Sequence, residues 1–274
     1  MVMDAGGRAM TSVTDGTNGL ATLEIAGRVA TLTLNRPDSR NALSRELLVA
    51  LHARVEEFAH ALGDDAGSAG ERPRVLVVTG AGRAFCAGMD LKLVLGDPAA
   101  AHALLASLAE LCIKVRALPV TTVAKVNHAA IGGGCGLVTV CDVSISHADA
   151  KLGFPEVDLG VCPAVVAPWL VRKIGAGPAR KVLLTGGLMT GAQAHALGIV
   201  DHLVHSGAEL DAATTELIGR LAAAGSAALR ATKGLLNTID GSMDQALARD
   251  AAALSAKVLQ TPETQAMLRA KLGG

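Results

Sequence analysis

The chain has 274 residues, half of them hydrophobic and 18% charged, which suffices for a full buried core and excludes an intrinsically disordered protein. Lys plus Arg and Asp plus Glu balance at 25 each, so no broad basic field draws in nucleic acid or an anionic membrane. No uninterrupted apolar run approaches the roughly 18 residues of a membrane span.

In chain order, the opening "MVMDAGGRAMTSVTDGTNG" has no apolar h-region and reads as a loose leader over residues 1–16, with Met10 an alternative start. "LATLEIAG" and "RVATLTLN" alternate apolar and polar residues around Gly27, which predicts a pair of strands. Leu43, Leu47, Leu48, Leu51, Val55, Phe58 and Leu62 keep helical spacing. "RVLVVTG" and "VTTVAKV" are short buried strands, and the alanine- and leucine-rich stretch between them, after Pro98, is helical. "VSIS" and "IVDHLV" are later strands. From Gly207 only helical patterns follow, which makes 17–206 an α/β core and 207–274 a helical region. Five cysteines, Cys86, Cys112, Cys135, Cys141 and Cys162, form no CxxC pair; reduced thiols in a cytoplasmic protein are the expectation.

Two glycine-bearing segments each follow a strand. "VVTGAGRAFCAGMDLK" contains Gly80 and Gly82, but Phe85 stands where a dinucleotide fingerprint needs its third glycine. In "AAIGGGCGLVTVCD" the triplet Gly132 to Gly134 leads into an apolar helix. Glycine lets a ligand approach the bare backbone, and a helix N-terminus presents unpaired N–H groups and partial positive charge. Close helix–sheet packing is the plain alternative for such a triplet.

"LTLNRPDSRNALS", "GRAFCAGMDLK", "AAIGGGCGL" and "AKLGFPEVDLGVCPA" together resemble, in order and spacing, the enoyl-CoA hydratase/isomerase (crotonase) superfamily, over roughly Leu20 to Val204. The resemblance implies an α/β fold, a crotonase-like spiral of ββα units with a C-terminal helical oligomerisation region, and assembly as a homotrimer or dimer of trimers. It implies an acyl-CoA thioester as substrate, with coenzyme A part of that substrate and no further cofactor. The backbone N–H groups of Met89 and Gly133 would hold the thioester oxygen, and Glu156 would carry the acid–base chemistry. The same resemblance sets Ala87, Gly132 and Gly136 against the substrate. It sets Asp90, Leu91 and Lys92 along the coenzyme A channel, and Arg40, Asn41 and Ala42 near its nucleotide end. Solvated surface charges are the alternative for Lys92 and Arg40.

The departure from the family pattern lies at Gly136. Many hydratases of the family carry a second glutamate there, and in other branches an aspartate serves at the position of Ala164. Asp158 is a weaker substitute acid, and His128 reads as a loop histidine. The leading reading is an enoyl-CoA hydratase for a 2-enoyl-CoA, with branched or carboxylated acyl groups open, closest in pattern to methylglutaconyl-CoA hydratase-type members. The alternatives are a Δ3,Δ2-enoyl-CoA isomerase using the single glutamate, and a catalytically weak acyl-CoA-binding protein. No HExxH or clustered His/Cys ligands suggest a metal. The acyl pocket is expected around Met89, Leu95 and the helix near Ala106, and a glutamate installed at Gly136 is expected to favour ordinary two-carboxylate hydration.

Overall fold

A computed structural model describes residues 19–63, 72–93, 95 and 97–272. The leader at 1–16, with Met10, lies outside the described residues. The strands are β1 (Ala21–Ala26), β2 (Val29–Leu34), β3 (Val75–Gly80), β4 (Thr121–Val126), β5 (Ala129–Ile131), β6 (Val143–His147), β7 (Lys151–Gly153), β8 (Leu188–Thr190) and β9 (His202–Val204). The alternation around Gly27 becomes the antiparallel β1–β2 hairpin, in which β2 buries Ala30, Leu32 and Leu34. β3 has no alternation because both its faces are covered: Val75 to Val78 are all buried. One sheet runs β1-β2-β3-β4-β6-β9, parallel beyond the hairpin, and a second, smaller sheet runs β5-β7-β8.

The two sheets are linked by sharp corners. β4 turns into β5 and β6 into β7, each ribbon giving one strand to each sheet. β3 makes the same step, since Cys86 beyond its corner bridges Ala130 of β5. The helices α1 (Arg45–Leu62), α2 (Pro98–Ala117), α3 (Gly133–Val140) and α4 (Ala167–Ile174) follow these successive steps, which is the spiral of ββα units. Side-chain amides lock the corners. Asn127 Nδ2 donates to the carbonyls of Gly80 and Gly82, both at 2.9 Å, and Asn41 Nδ2 donates to Ala84 O at 2.8 Å. His128, on the β4–β5 corner, stacks on His147 with centroids 5.5 Å apart.

After α5 (Ala176–Thr185) and α6 (Gly191–Ala196) come α7 (Leu210–Ala223), α8 (Ser226–Ile239), α9 (Gln245–Leu259) and α10 (Pro262–Leu272). These late helices complete the interior. Leu210 and Leu217 of α7 cover Val75, Val77, Val123 and Ile145 on one face of the main sheet. Ala252, Ala256 and Leu259 of α9 join the larger core on the other face, where α9 lies along α2. By length and composition α2 would pass for a membrane span, but it lies against α1, α3 and α9 and buries Leu104, Leu105, Leu108, Leu111, Cys112 and Val115.

An ionic cluster docks α8. Asp142, at the end of α3, accepts from Lys233 Nζ at 2.7 Å, Arg116 Nη1 at 3.2 Å and the Thr122 N–H at 2.8 Å. Arg116 also reaches Asp240 at 3.2 Å. Burial pulls the Lys233 ammonium below the usual lysine range, against the opposing pull of Asp142. Removing the shared acceptor leaves two cations poorly compensated in a half-dry site, so Asp142→Ala is expected to cost about 3–5 kcal/mol. Denaturant unfolding checks this; a loss below about 1 kcal/mol, the usual ceiling for an exposed pair, would show that the cluster is no more than surface decoration.

Candidate active site

Two unpaired backbone donors are held side by side by the strand beyond the first corner. Leu43 pairs with Met89 as a parallel bridge, in which the Leu43 N–H donates to Gly88 O at 2.7 Å and the Asp90 N–H donates to Leu43 O at 3.0 Å. In that pattern the N–H of Met89 itself points away from Leu43, and it has no acceptor among the described residues. Gly88 makes the turn with φ at 89°, a region closed to most side chains, and a Cβ there would stand 2.7 Å from Ile131 O. That contact brings the two segments together, for the same Cβ would lie 3.8 Å from the Gly133 nitrogen. The Gly132 N–H is used by Gly153 O at 2.8 Å, whereas the Gly133 N–H, the first of α3, is unpaired among the described residues. Two donors and the positive end of a buried helix therefore face one cavity.

Glu156 stands across that cavity. It caps a short 3₁₀ turn, Val157–Leu159, and its carboxylate lies against Gly132, where a Cβ would meet Oε1 at 2.9 Å. Oε2 is buried without a hydrogen-bond partner among the described residues. Burial pushes the carboxyl out of the usual range up to about 7, offset only in part by a backbone hydrogen bond. The cavity measures about 80 Å³. Its walls are Ala87, Gly88, Met89 and Leu91 on one side, Leu105 and Leu108 of α2 above, and Ile131 to Gly133 behind. Pro155, Glu156, Leu159, Val161 to Pro163, Val165, Val166 and Ser255 of α9 line the rest.

The sequence-predicted residues divide clearly. Ala87, Met89, Leu91, Gly132, Gly133 and Glu156 share the cavity; Arg40, Asn41, Ala42, Asp90, Lys92 and Gly136 are not on its wall. Asn41 is a correction: it is fully buried, accepts from the Arg36 N–H at 2.8 Å and donates to the 81–85 corner, so its side chain is a structural clamp. Arg40 projects an exposed side chain while its carbonyl accepts from the Ala87 N–H at 2.9 Å, and the Ala42 carbonyl accepts from Arg36 Nη1 at 2.7 Å. Asp90 sits 3.7 Å from Arg36, and Lys92 is exposed. Asp158 accepts from the Gly187 N–H at 2.7 Å and so holds another turn.

Gly136 is the second correction. A Cβ there would stand 2.2 Å from Cγ1 of Val166, so the side-chain space is already filled from the start of α4. Its backbone is ordinary helix with no positive φ. A glutamate at Gly136 therefore requires Val166 to move. Of the expected acyl wall, Met89 and the helix around Ala106 are present, the helix through Leu105 and Leu108 of α2, while Leu95 packs into the core outside the cavity. Val166 and Ser255 were not foreseen. No periodicity marks either, since one precedes a helix and the other sits on an alanine-rich helix distant in sequence.

Comparison with known proteins agrees with this fold. A family model described as enoyl-CoA hydratase/isomerase matches residues 24–269. The 2,3-dehydroadipyl-CoA hydratase of Escherichia coli K12 is 36% identical over 210 residues, which cover 76% of this chain and 78% of that protein. The structure of Pseudomonas aeruginosa AtuE, 36% identical, superposes with a TM-score of 0.73, covering 89% of this chain and 93% of its own. An enoyl-CoA hydratase from Mycobacterium avium, 26% identical, reaches a TM-score of 0.80 over 93% of this chain and 96% of its own. With the spiral fold, the family match along most of its length and these relatives together, the chain belongs to the enoyl-CoA hydratase/isomerase family.

Proposed function

We propose that the protein hydrates a 2-enoyl-CoA thioester, with the N–H groups of Met89 and Gly133 holding the thioester oxygen and Glu156 as the one carboxylate among the described wall residues. The observation that carries this reading is the buried carboxyl of Glu156, its Oε2 without a partner among the described residues, on the same cavity as two unpaired backbone donors. Ionised Glu156 takes a proton from water as the water oxygen attacks C3. The C2–C3 π pair moves to C2 and the thioester oxygen, where the two donors stabilise charge that exists only in the transition state and enolate. C2 then takes the proton back from Glu156. The sum is H on C2 and OH on C3, with the carboxylate regenerated and no redox partner required. CoA enters as part of the substrate.

One observation favours a second reading. Glu156 is the one carboxylate among the described wall residues, and a lone glutamate suffices to carry a proton from C2 to C4 of a 3-enoyl-CoA. Loss of the ultraviolet absorbance of a 2-enoyl-CoA supports hydration; its appearance from a 3-enoyl-CoA supports isomerisation. Tight binding with neither would leave an acyl-CoA-binding protein.

Glu156→Gln is expected to lower kcat by about 10²–10⁴ while acyl-CoA affinity barely moves. A rate within twofold of the parent would sink the assignment.

The pH dependence has a definite sign. Since the base must be ionised and its folded pKa is about 7, kcat/KM for hydration should rise with pH below 7 and level off above it. Between about 4.5 and 7 the folded protein holds a proton that the unfolded chain releases, so stability falls as pH rises through that window, by about 3 kcal/mol in all. Glu156→Gln should escape that fall and be the more stable protein at pH 8. Parallel stability curves for the two proteins between pH 5 and 8 would contradict it.

We also propose assembly as a homotrimer or dimer of trimers. The support is the apolar surface left by the late helices, with Leu235, Leu236 and Ile239 of α8 and Leu247 and Leu254 of α9 all exposed. Light scattering should give a mass of three or six chains; a monomer at micromolar concentration overturns this.

A further inference from the structure

The proposed reaction leaves the acyl group open, and the cavity walls narrow it. Leu105, Leu108, Leu159, Val161 and Val166 present only hydrocarbon. The Ser255 hydroxyl is already engaged, donating to Cys162 O at 2.8 Å and accepting from the Ala164 N–H at 3.2 Å. No lysine, arginine or histidine lies among the described wall residues, and the one charge on the wall is the carboxyl of Glu156.

We infer that the site selects a short, uncharged acyl group and that Val166 is the residue setting the depth of its cavity. The inference rests on the acyl-CoA reading above and names the substrate class within it. A terminal carboxylate on the acyl chain would be stripped of water among aliphatic side chains with no cation to receive it, and would stand near another carboxylate; burying an unpaired charge in that way is strongly unfavourable. Size follows from packing. A cavity of about 80 Å³ is several times the roughly 10–15 Å³ that one water needs, which is room for a short chain and not for a long one. Val166, 3% exposed, stands where that cavity meets α3: its Cγ1 occupies the volume that Gly136 leaves free, and the rest of the side chain forms wall. Shortening residue 166 therefore opens the cavity onto the backbone of α3 at Gly136.

Saturated thioesters test this without turnover, so the outcome is independent of whether hydration or isomerisation is the chemistry. Calorimetric titration of the full-length protein with butanoyl-CoA, octanoyl-CoA and glutaryl-CoA should rank butanoyl first. Glutaryl-CoA should bind at least about 100-fold more weakly, as an unpaired buried charge requires, and octanoyl-CoA at least about tenfold more weakly, the scale of methylene discrimination in a hydrophobic pocket. Val166→Ala should reverse the chain-length order and leave glutaryl-CoA rejected. Glutaryl-CoA within threefold of butanoyl-CoA overturns the charge selection. An octanoyl-to-butanoyl ratio unchanged by Val166→Ala overturns the role of Val166. If that variant does not fold, Val166→Ile must move the preference from butanoyl-CoA toward acetyl-CoA, and no movement overturns the role equally. Failure of all three thioesters to bind the parent protein would instead remove the acyl-CoA reading beneath it.

Discussion

The site depends on leaving two backbone N–H groups without partners inside a protein, where nearly every buried donor is paired. An unmatched buried donor costs on the order of 1–3 kcal/mol, so the surrounding structure must enforce it. Here the neighbours take the competing acceptors. Leu43 pairs with Gly88 and Asp90 on either side of Met89, and Gly153 O takes the Gly132 N–H, leaving Gly133 as the next donor in line. The corners locked by Asn41 and Asn127 hold these segments at backbone contact distance.

Glu156 answers the same logic with opposite sign. A carboxyl buried among aliphatic side chains, with one oxygen unsatisfied, resists ionisation, and that resistance brings its pKa close to neutrality. In the interior the donors offer stabilisation to negative charge and the carboxyl is reluctant to keep it. In the proposed reaction a bound thioester would relieve both conditions, its oxygen completing the hydrogen bonds of Met89 and Gly133 while Glu156 exchanges protons with its carbon. The late helices take part too: α9 places Ser255 against the 162–164 segment, so the wall of the cavity is built partly from the far end of the chain.

Much of the fold was legible because its main elements are long and periodic. β1 to β4, α1, α2 and α3 follow from alternation, from apolar runs bounded by glycine, and from 3.6-residue spacing. β5, β7 and β8, three residues each, were missed, although they make the second sheet that carries the corners. Gly132, Gly133 and Glu156 were named through their resemblance to a family, and they line one cavity. Asn41 misled because sequence spacing does not say whether a polar side chain turns inward. Its φ of 56° and full burial make it a clamp on the neighbouring corner. Val166 was invisible for the complementary reason: its importance lies wholly in a contact with a residue that has no side chain.

That contact has a consequence for how this sequence can change over time. Gly136 and Val166 occupy one volume between them, so a substitution that enlarges the first is blocked while the second remains branched. Overpacking of this kind costs about 1–3 kcal/mol or more, and shrinking the valine first leaves a void with a penalty of its own. Each route to a second acid on α3 therefore passes through a less stable ancestor. The pair behaves as an epistatic latch, and a lineage carrying it is expected to diversify by refining what one carboxyl does before it gains a second.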